Sequence, residues 1–317
     1  MQAFFMISGF YMALILDAKY QNTSLFFSNR ALRIFPTYLV VLGISYYYFS
    51  AHYPPFLSSF KDVDFITRTG LILTNLALVG QDIWLFFGYQ NQEIFFSPKF
   101  NNDVQLSRYM LVPQAWTLSL ELYFYALAPA FVKLKSRYIA AIVILGFALK
   151  FYAVHNGFQH EPWTYRFFPF ELPLFLCGVL LYRIGKEFKP QHGHLWTLII
   201  TILILFFPFI SSDELVGMFA AQTLFLCILA AAIPAMFFST SGWFDRQIGE
   251  LSYPLYLCHI AIMRFLTPLE VIRDSPALRT FFVVFFSILI AIALRILIDL
   301  PMNIYRQNRF SQAQGKQ

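Results

Sequence analysis

Two arginines are the first residues in this chain with obvious chemical use. Arg30 and Arg33 stand three apart in Arg30-Ala31-Leu32-Arg33-Ile34-Phe35-Pro36, after one apolar run and before another. At helical spacing such a pair shares a face. Two guanidiniums on one face at a membrane edge suit a phosphate or another planar anion. The same pair also fits a topological anchor, because cytoplasmic loops carry excess lysine and arginine.

Glu121 is the second candidate. It lies inside the apolar stretch Trp116-Thr117-Leu118-Ser119-Leu120-Glu121-Leu122-Tyr123-Phe124-Tyr125. Ionisable groups within membrane spans are costly and mark function by default. Thr117, Glu121 and Tyr125 recur every four residues and form one polar stripe on a helix. A carboxyl in such surroundings suits general acid or base work. The structural alternative is a glutamate paired with an arginine of another helix.

His259 closes a second stripe with Ser252 and Tyr256, next to Tyr253. A stripe of this kind faces a bundle interior or a cavity, yet no carboxylate lies beside His259 in sequence to orient its ring. Ser8, in Phe4-Phe5-Met6-Ile7-Ser8-Gly9-Phe10, resembles a nucleophile only superficially, because Ser-Gly pairs in membrane helices favour close packing. Glu171 and Arg166 read as a local outer ion pair, with Arg166 alternatively touching a polar acceptor. Lys150, Arg264 and Arg295 lie near helix ends and are expected to snorkel. The cysteines Cys177, Cys227 and Cys258 are scattered in apolar runs, without metal or disulfide spacing.

These residues need a membrane scaffold to position them. Of the 317 residues, 58% are hydrophobic, 20% aromatic and only 13% charged, where a soluble domain carries about a quarter charged residues. The net charge of +6 is explained by orientation and calls for no nucleic-acid partner. The fold class is therefore all-α, a polytopic transmembrane helix bundle and a single membrane domain over 1–317. Apolar runs fall at 3–16, 36–50, 69–88, 113–132, 139–155, 167–182, 195–210, 216–238, 252–266 and 280–298. Pro36 is expected in the first turn of its helix.

Basic loops at 17–35 (Lys19, Arg30, Arg33), 133–138 and 183–194, with the basic tail (Arg306, Arg309, Lys316), should all be cytoplasmic. The loops 156–166 and 211–215 are then outside. Parity requires that the piece at 69–88, interrupted by Asn75, Gly80, Gln81 and Asp82, does not cross. It is expected as a re-entrant or surface helix in an outer region spanning 51–112. The result is about nine crossings with the C-terminus in the cytoplasm.

With these residues in hand a family resemblance emerges. Phe4-Phe5-x-x-Ser8-Gly9, Arg30-x-x-Arg33-Ile34-x-Pro36, Trp116-Thr117-Leu118-x-x-Glu121-x-x-Phe124-Tyr125, Gly249-x-x-Ser252-Tyr253-x-x-Tyr256-Leu257-x-His259 and Asp299-x-Pro301 resemble, in order, the motifs of the acyltransferase-3 family of membrane acyltransferases. The last departs from the family's Glu-x-Pro by carrying Asp.

The resemblance implies transfer of an acyl group, usually acetyl, from cytoplasmic acyl-coenzyme A to a hydroxyl of a surface carbohydrate or lipid-linked glycan. It implies no metal, a lipid bilayer as surroundings and the bacterial inner (plasma) membrane as location. It places Arg30 and Arg33 at the acyl-coenzyme A donor; Glu121, the catalytic candidate from its place in an apolar span, would then orient the acceptor or tune the site. Candidate site-lining residues are Ser8, Trp116, Thr117, Tyr125, Arg166, Ser252, Tyr253, Tyr256 and His259. In such proteins a first helix bearing a catalytic histidine precedes the Phe-Phe-x-x-Ser-Gly motif. This sequence begins at that motif and has no histidine before His52, so the expectation is a truncated start or a degenerate member with weak activity. The alternative from another class is a non-enzymatic glycan transporter or assembly partner, although the paired, interrupted repeats of transporters are not evident.

Overall fold

The computed structural model describes all residues except 19–21, 101–103, 211–214, 240–241, 270–274 and 315–317. Within helices, the side chains of 18, 54–55, 207–210, 215–220, 243–245 and 313–314 also lie outside the described set. Lys19, Lys316 and residues 211–214 of the outer loop expected at 211–215 therefore fall outside it. The fold is 80% helical, in agreement with the all-α expectation. Among the described residues, five helices are long and apolar enough to cross a membrane: Thr23–His52, Ser136–His155, Phe168–Phe188, Ala221–Ser239 and Pro276–Gln312. Gln2–Asp17 and Gly193–Phe206 are shorter apolar helices. The count of about nine is not reached by length and composition alone. The chain divides into two compact units, Met1–Gln21 with Glu121–Trp243, and Asn22–Leu120 with Phe244–Gln317.

The first unit is organised around one helix. Helix α1 runs Gln2–Ala18. Helix α5 is Trp116–Phe131, entering this unit at Glu121, and α6 is Ser136–His155. Helices α7 (Phe168–Phe188), α8 (Gly193–Ile210) and α9 (Leu215–Ser239) complete it. Helices α1, α6 and α9 all pack on α7. The approach of α1 depends on two glycines. A Cβ on Gly9 would lie 1.8 Å from the Phe175 carbonyl oxygen, and one on Gly178 would lie 2.0 Å from that of Met6. This is how small residues let membrane helices touch backbone to backbone. It supports the packing role expected of the Ser8-Gly9 pair. Helix α7 ends where Lys189 turns left-handed, at φ 42°.

The second unit starts with α2, Thr23–His52. Here the structure corrects two expectations. The basic stretch 17–35 is not a loop throughout, and Pro36 lies inside a helix rather than in its first turn. The cause is Asn22, whose side chain accepts hydrogen bonds from the Ser24 and Leu25 amides and starts the helix well before Pro36. Arg30 and Arg33 are thus helical, as their spacing suggested.

Helices α3 (Pro54–Lys61) and α4 (Phe65–Ala77) follow. The helix expected at 69–88 instead begins at Phe65, capped by Asp64, and stops at Leu78, where φ is 65°. Its polar interruptions anchor the chain. Asn75 reaches the Leu71 and Tyr109 carbonyls, Gln81 donates to the Tyr38 hydroxyl, and Ser119 donates to Asp82. A hairpin not expected from sequence comes next, β1 (Phe87–Gln90) paired antiparallel with β2 (Glu93–Phe96) in register Phe87↔Phe96 and Gln90↔Glu93. Its turn residues Asn91 and Gln92 both have positive φ, the geometry that matches strand twist in two-residue hairpins. Val63, Leu71, Tyr89, Leu106 and Tyr109 form a buried cluster beneath this region. The unit is completed by α10 (Trp243–Leu266), which enters it at Phe244, and by α11 (Pro276–Leu294). One π turn, Arg295–Asp299, joins α11 to α12 (Leu300–Gln314).

Candidate functional site

In the first unit, Glu121 is 6% exposed and accepts hydrogen bonds at one oxygen from two hydroxyls. Ser8 Oγ on α1 donates to Oε1 over 2.9 Å, and the Tyr125 hydroxyl, one turn on along α5, donates to the same oxygen. The spacing Glu121 to Tyr125 is thus used as the sequence stripe suggested. The arrangement fixes a carboxylate's orientation within apolar surroundings, which is what a proton-handling or substrate-orienting group requires.

Glu171 departs from its expected pairing. Its carboxyl accepts from Lys150 on α6 at 2.6 Å and from Gln2 on α1 at 3.2 Å, and its side chain is fully buried. Lys150 therefore does not snorkel. Gln2 in turn accepts from Gln222 of α9. Arg166 pairs with Glu161 instead, at 2.7 Å, and packs over the Tyr165 ring. Sequence spacing could not show this, because Arg166 and Glu171 are separated by the start of α7 while Lys150 meets Glu171 only through helix packing.

In the second unit, Arg30 and Arg33 occupy different environments. Arg30 is 6% exposed. Arg33 is exposed and lines a narrow crevice of about 30 Å³ together with Tyr253, Glu250, Arg295, Asp299 and Arg306. Asp299 accepts from the Thr37 hydroxyl and carries the charges of Arg33, Arg306 and Arg295 about it. Arg295 is held by Glu250 at 2.6 Å and by Gln247, so it does not snorkel either. Arg306 and Arg295 were not singled out for this site from sequence; only their basic character was visible.

The remaining candidates divide by what they touch. Tyr253 donates to the Ile34 carbonyl at 2.6 Å, fastening α10 to α2 beside Arg33. The Thr117 and Tyr256 hydroxyls lie 2.7 Å apart, and Tyr256 donates to the Gln114 carbonyl. Gln114 answers by donating to the Leu257 carbonyl. Gln114 precedes the tryptophan-led motif and was missed, since a lone glutamine at the very start of an apolar run carries no signal of its partner. Trp116 is buried at the start of α5. His259 Nδ1 lies 2.8 Å from the Tyr256 carbonyl of its own helix, and Ser252, exposed, returns its hydroxyl to Gly249. The stripe Ser252, Tyr256, His259 thus splits into three local arrangements. Arg264 donates to the Leu111 carbonyl rather than snorkelling, and covers the Phe49 ring. Among the described residues, no group of three His, Cys, Asp or Glu is placed to hold a metal ion.

A helical membrane protein with a buried carboxylate and a clustered arginine face is thereby defined. It belongs to the acyltransferase-3 family, whose acyltransferase-domain model matches residues 1–296. It is similar to proteins of Staphylococcus aureus strains COL, MSSA476 and MRSA252, each bearing the name "Putative O-acetyltransferase". Each is 24% identical over 299 residues, covering 83% of this chain and 45% of the relative. The chain thus spans less than half the length of the curated relatives it matches. No solved structure matches it.

Proposed function

We propose that this chain transfers an acyl group, acetyl foremost, from cytoplasmic acyl-coenzyme A to a hydroxyl of a cell-surface carbohydrate or related acceptor. The observation that carries the reading is the pair Arg30 and Arg33 on α2, with Arg33 lining an arginine-rich crevice. Clustered guanidiniums suit the phosphates of a coenzyme donor. Family membership and the names of the relatives support acyl transfer as the chemistry.

In the reaction, the acceptor hydroxyl oxygen attacks the thioester carbonyl carbon. The C–S bond breaks, the coenzyme leaves as a thiol, and the acceptor's proton ends on sulfur. A group that accepts or directs that proton accelerates the attack. Glu121, held by Ser8 and Tyr125, is the carboxylate we assign to orienting the acceptor. Arg30 and Arg33 hold the donor; Tyr253, which donates to the Ile34 carbonyl, positions the helix that carries them. The topology that fits this reading has about nine crossings, a cytoplasmic C-terminus and cytoplasmic Arg30 and Arg33, in the plasma membrane of a bacterium.

Cells expressing the chain, and cells expressing Arg30→Ala/Arg33→Ala, test the proposal through mass spectrometry of surface glycans. Acyl esters present with the former and lost with the latter are expected. Glycan export that depends on the protein, with no ester formed, would support a transport role instead.

A further inference from the structure

We infer that the cavity between the C-terminal ends of α1, α5 and α7 holds the headgroup of a zwitterionic phospholipid, phosphatidylethanolamine. The site lies wholly within the first unit and uses neither Arg30, Arg33 nor Glu121. It therefore does not depend on the acyl-donor reading.

The size of the cavity comes first. It measures about 410 Å³, within the range of roughly 300–1,000 Å³ that small-molecule sites occupy. Its place comes second. Asp17 lies in the last turn of α1, Val132 directly follows α5, and Lys186 and Glu187 lie in the last turn of α7. Helix α7 is long and apolar enough to cross a membrane, so its last turn falls at the level of the headgroups. Three helix C-termini gather here, and their carbonyl ends favour positive charge.

The charges come third. Arg183 and Lys186 share the cavity with Asp17 and Glu187, two cations against two carboxylates. A bare phosphate would meet both carboxylates, and a bare amine would meet both cations. A ligand carrying one charge of each sign satisfies both halves of the site. The fixed geometry separates those halves. Arg183 donates to the Ser136 hydroxyl at 2.9 Å and to the Val132 carbonyl at 2.8 Å, which pins its guanidinium at the junction of α5 and α6. A guanidinium has five N–H donors, so Arg183 can hold these two partners and a phosphate oxygen together. Asp17 Oδ2 accepts from Lys186 at 2.5 Å and from the Tyr182 hydroxyl at 2.8 Å. Its other oxygen, and the exposed Glu187, have no hydrogen-bond donor among the described residues. An ammonium N–H supplies one.

The lining also selects a lipid over a soluble zwitterion. Ala13, one turn inside Asp17 on α1, and Val132 give the cavity an apolar side. A glycerol backbone and its first methylenes cover that side, while free phosphoethanolamine leaves it wet. Phosphatidylcholine has the same charges but no N–H to donate, and phosphatidylglycerol has no cation.

The test reconstitutes the full chain in vesicles with equal parts of phosphatidylethanolamine, phosphatidylcholine and phosphatidylglycerol. Lipids retained after extraction into detergent are identified by native mass spectrometry. Phosphatidylethanolamine should be retained in preference to the other two. Glu187→Gln should lower its preference over phosphatidylcholine about tenfold, the worth of one charged hydrogen bond, at an unchanged melting temperature. Glu187→Asp should restore part of it. Arg183→Gln should weaken both zwitterionic lipids alike, because it acts on the phosphate. Equal retention of the three lipids, or a preference unmoved by Glu187→Gln, would overturn the inference. Retention of phosphatidylglycerol above phosphatidylethanolamine would reduce the site to a basic anchor and overturn it as well. Displacement of the lipid by an equal concentration of free phosphoethanolamine would show that the ligand is soluble, against the lipid assignment.

Discussion

Ser8 Oγ donates to Glu121 Oε1 at 2.9 Å across 113 positions of sequence, joining α1 to α5 inside the first unit. The contact ties a residue that looked like a nucleophile to one that looked like a base. Ser8 is 5% exposed and stands beside Gly9, where α1 touches the α7 backbone. On the proposed function its part is to hold the carboxylate rather than to meet a substrate. Glu121→Gln should keep the fold and lower acyl transfer by about a hundredfold, within the usual range for a proton-handling group. Ser8→Ala should cost only a few-fold. Loss of all transfer in Ser8→Ala, with Glu121→Gln active, would reverse the two roles.

The crossing of α1 and α7 predicts a steric result. Gly9→Ala and Gly178→Ala each place a Cβ within 2.0 Å of a carbonyl oxygen. Backbone must move, and overpacking of this kind costs about 1–3 kcal/mol or more. Gly249→Ala meets nothing within 4 Å and should be neutral or slightly stabilising. Thermal unfolding in detergent distinguishes them, and equal melting temperatures for all three would contradict the packing described.

The buried pair Lys150–Glu171 makes a double-mutant prediction. Removing one partner leaves an uncompensated charge in an apolar interior, which costs about 3–5 kcal/mol. Lys150→Met alone should therefore destabilise strongly. Lys150→Met/Glu171→Gln should recover much of the loss, since no charge is left behind. Additive effects in the thermal unfolding of the double variant would show that the pair is not coupled.

A pH effect is expected at the start of α4. Hydrogen bonds from the Thr67 side chain, then from the Thr67 and Ile66 amides, hold the Asp64 carboxyl below the usual carboxylate range. A depressed folded-state value means that the stabilisation is present above the unfolded value, about 3.9, and is lost as pH falls through the folded one. The protection of the Ile66 and Thr67 amides, measured against their intrinsic exchange rates at each pH, should fall on acidification. Asp64→Asn should remove that pH dependence. Unchanged protection of these amides at acid pH in the unmodified chain would contradict the capping role.

How much of this was legible beforehand depends on the kind of signal. The apolar runs announced an all-α membrane protein, because membrane spans force long hydrophobic stretches. The stripe Glu121–Tyr125 was readable because both residues lie on one helix. Arg30 and Arg33 were readable as helical neighbours, but not their separation into a buried and an exposed arginine. Pro36 misled, since a cap at Asn22 outweighs the preference of proline for a first turn. Partners that meet only through packing had no sequence signature, as with Lys150 and Glu171, or Thr37 and Asp299. The hairpin at Phe87–Phe96 was hidden because its strands have four residues each and its Asn91-Gln92 turn lacks the glycine that usually marks one.

The most direct measurement is transfer of radiolabelled acetyl from acetyl-coenzyme A into carbohydrate, in membrane vesicles carrying the full chain. Oriented vesicles, with the donor supplied to the cytoplasmic or the outer face, allow the sides to be compared. Label should enter carbohydrate only from the cytoplasmic face; Arg30→Ala/Arg33→Ala should abolish it and Glu121→Gln should lower it about a hundredfold. Transfer that is indifferent to these residues, or that uses donor from the outer face, would contradict the account.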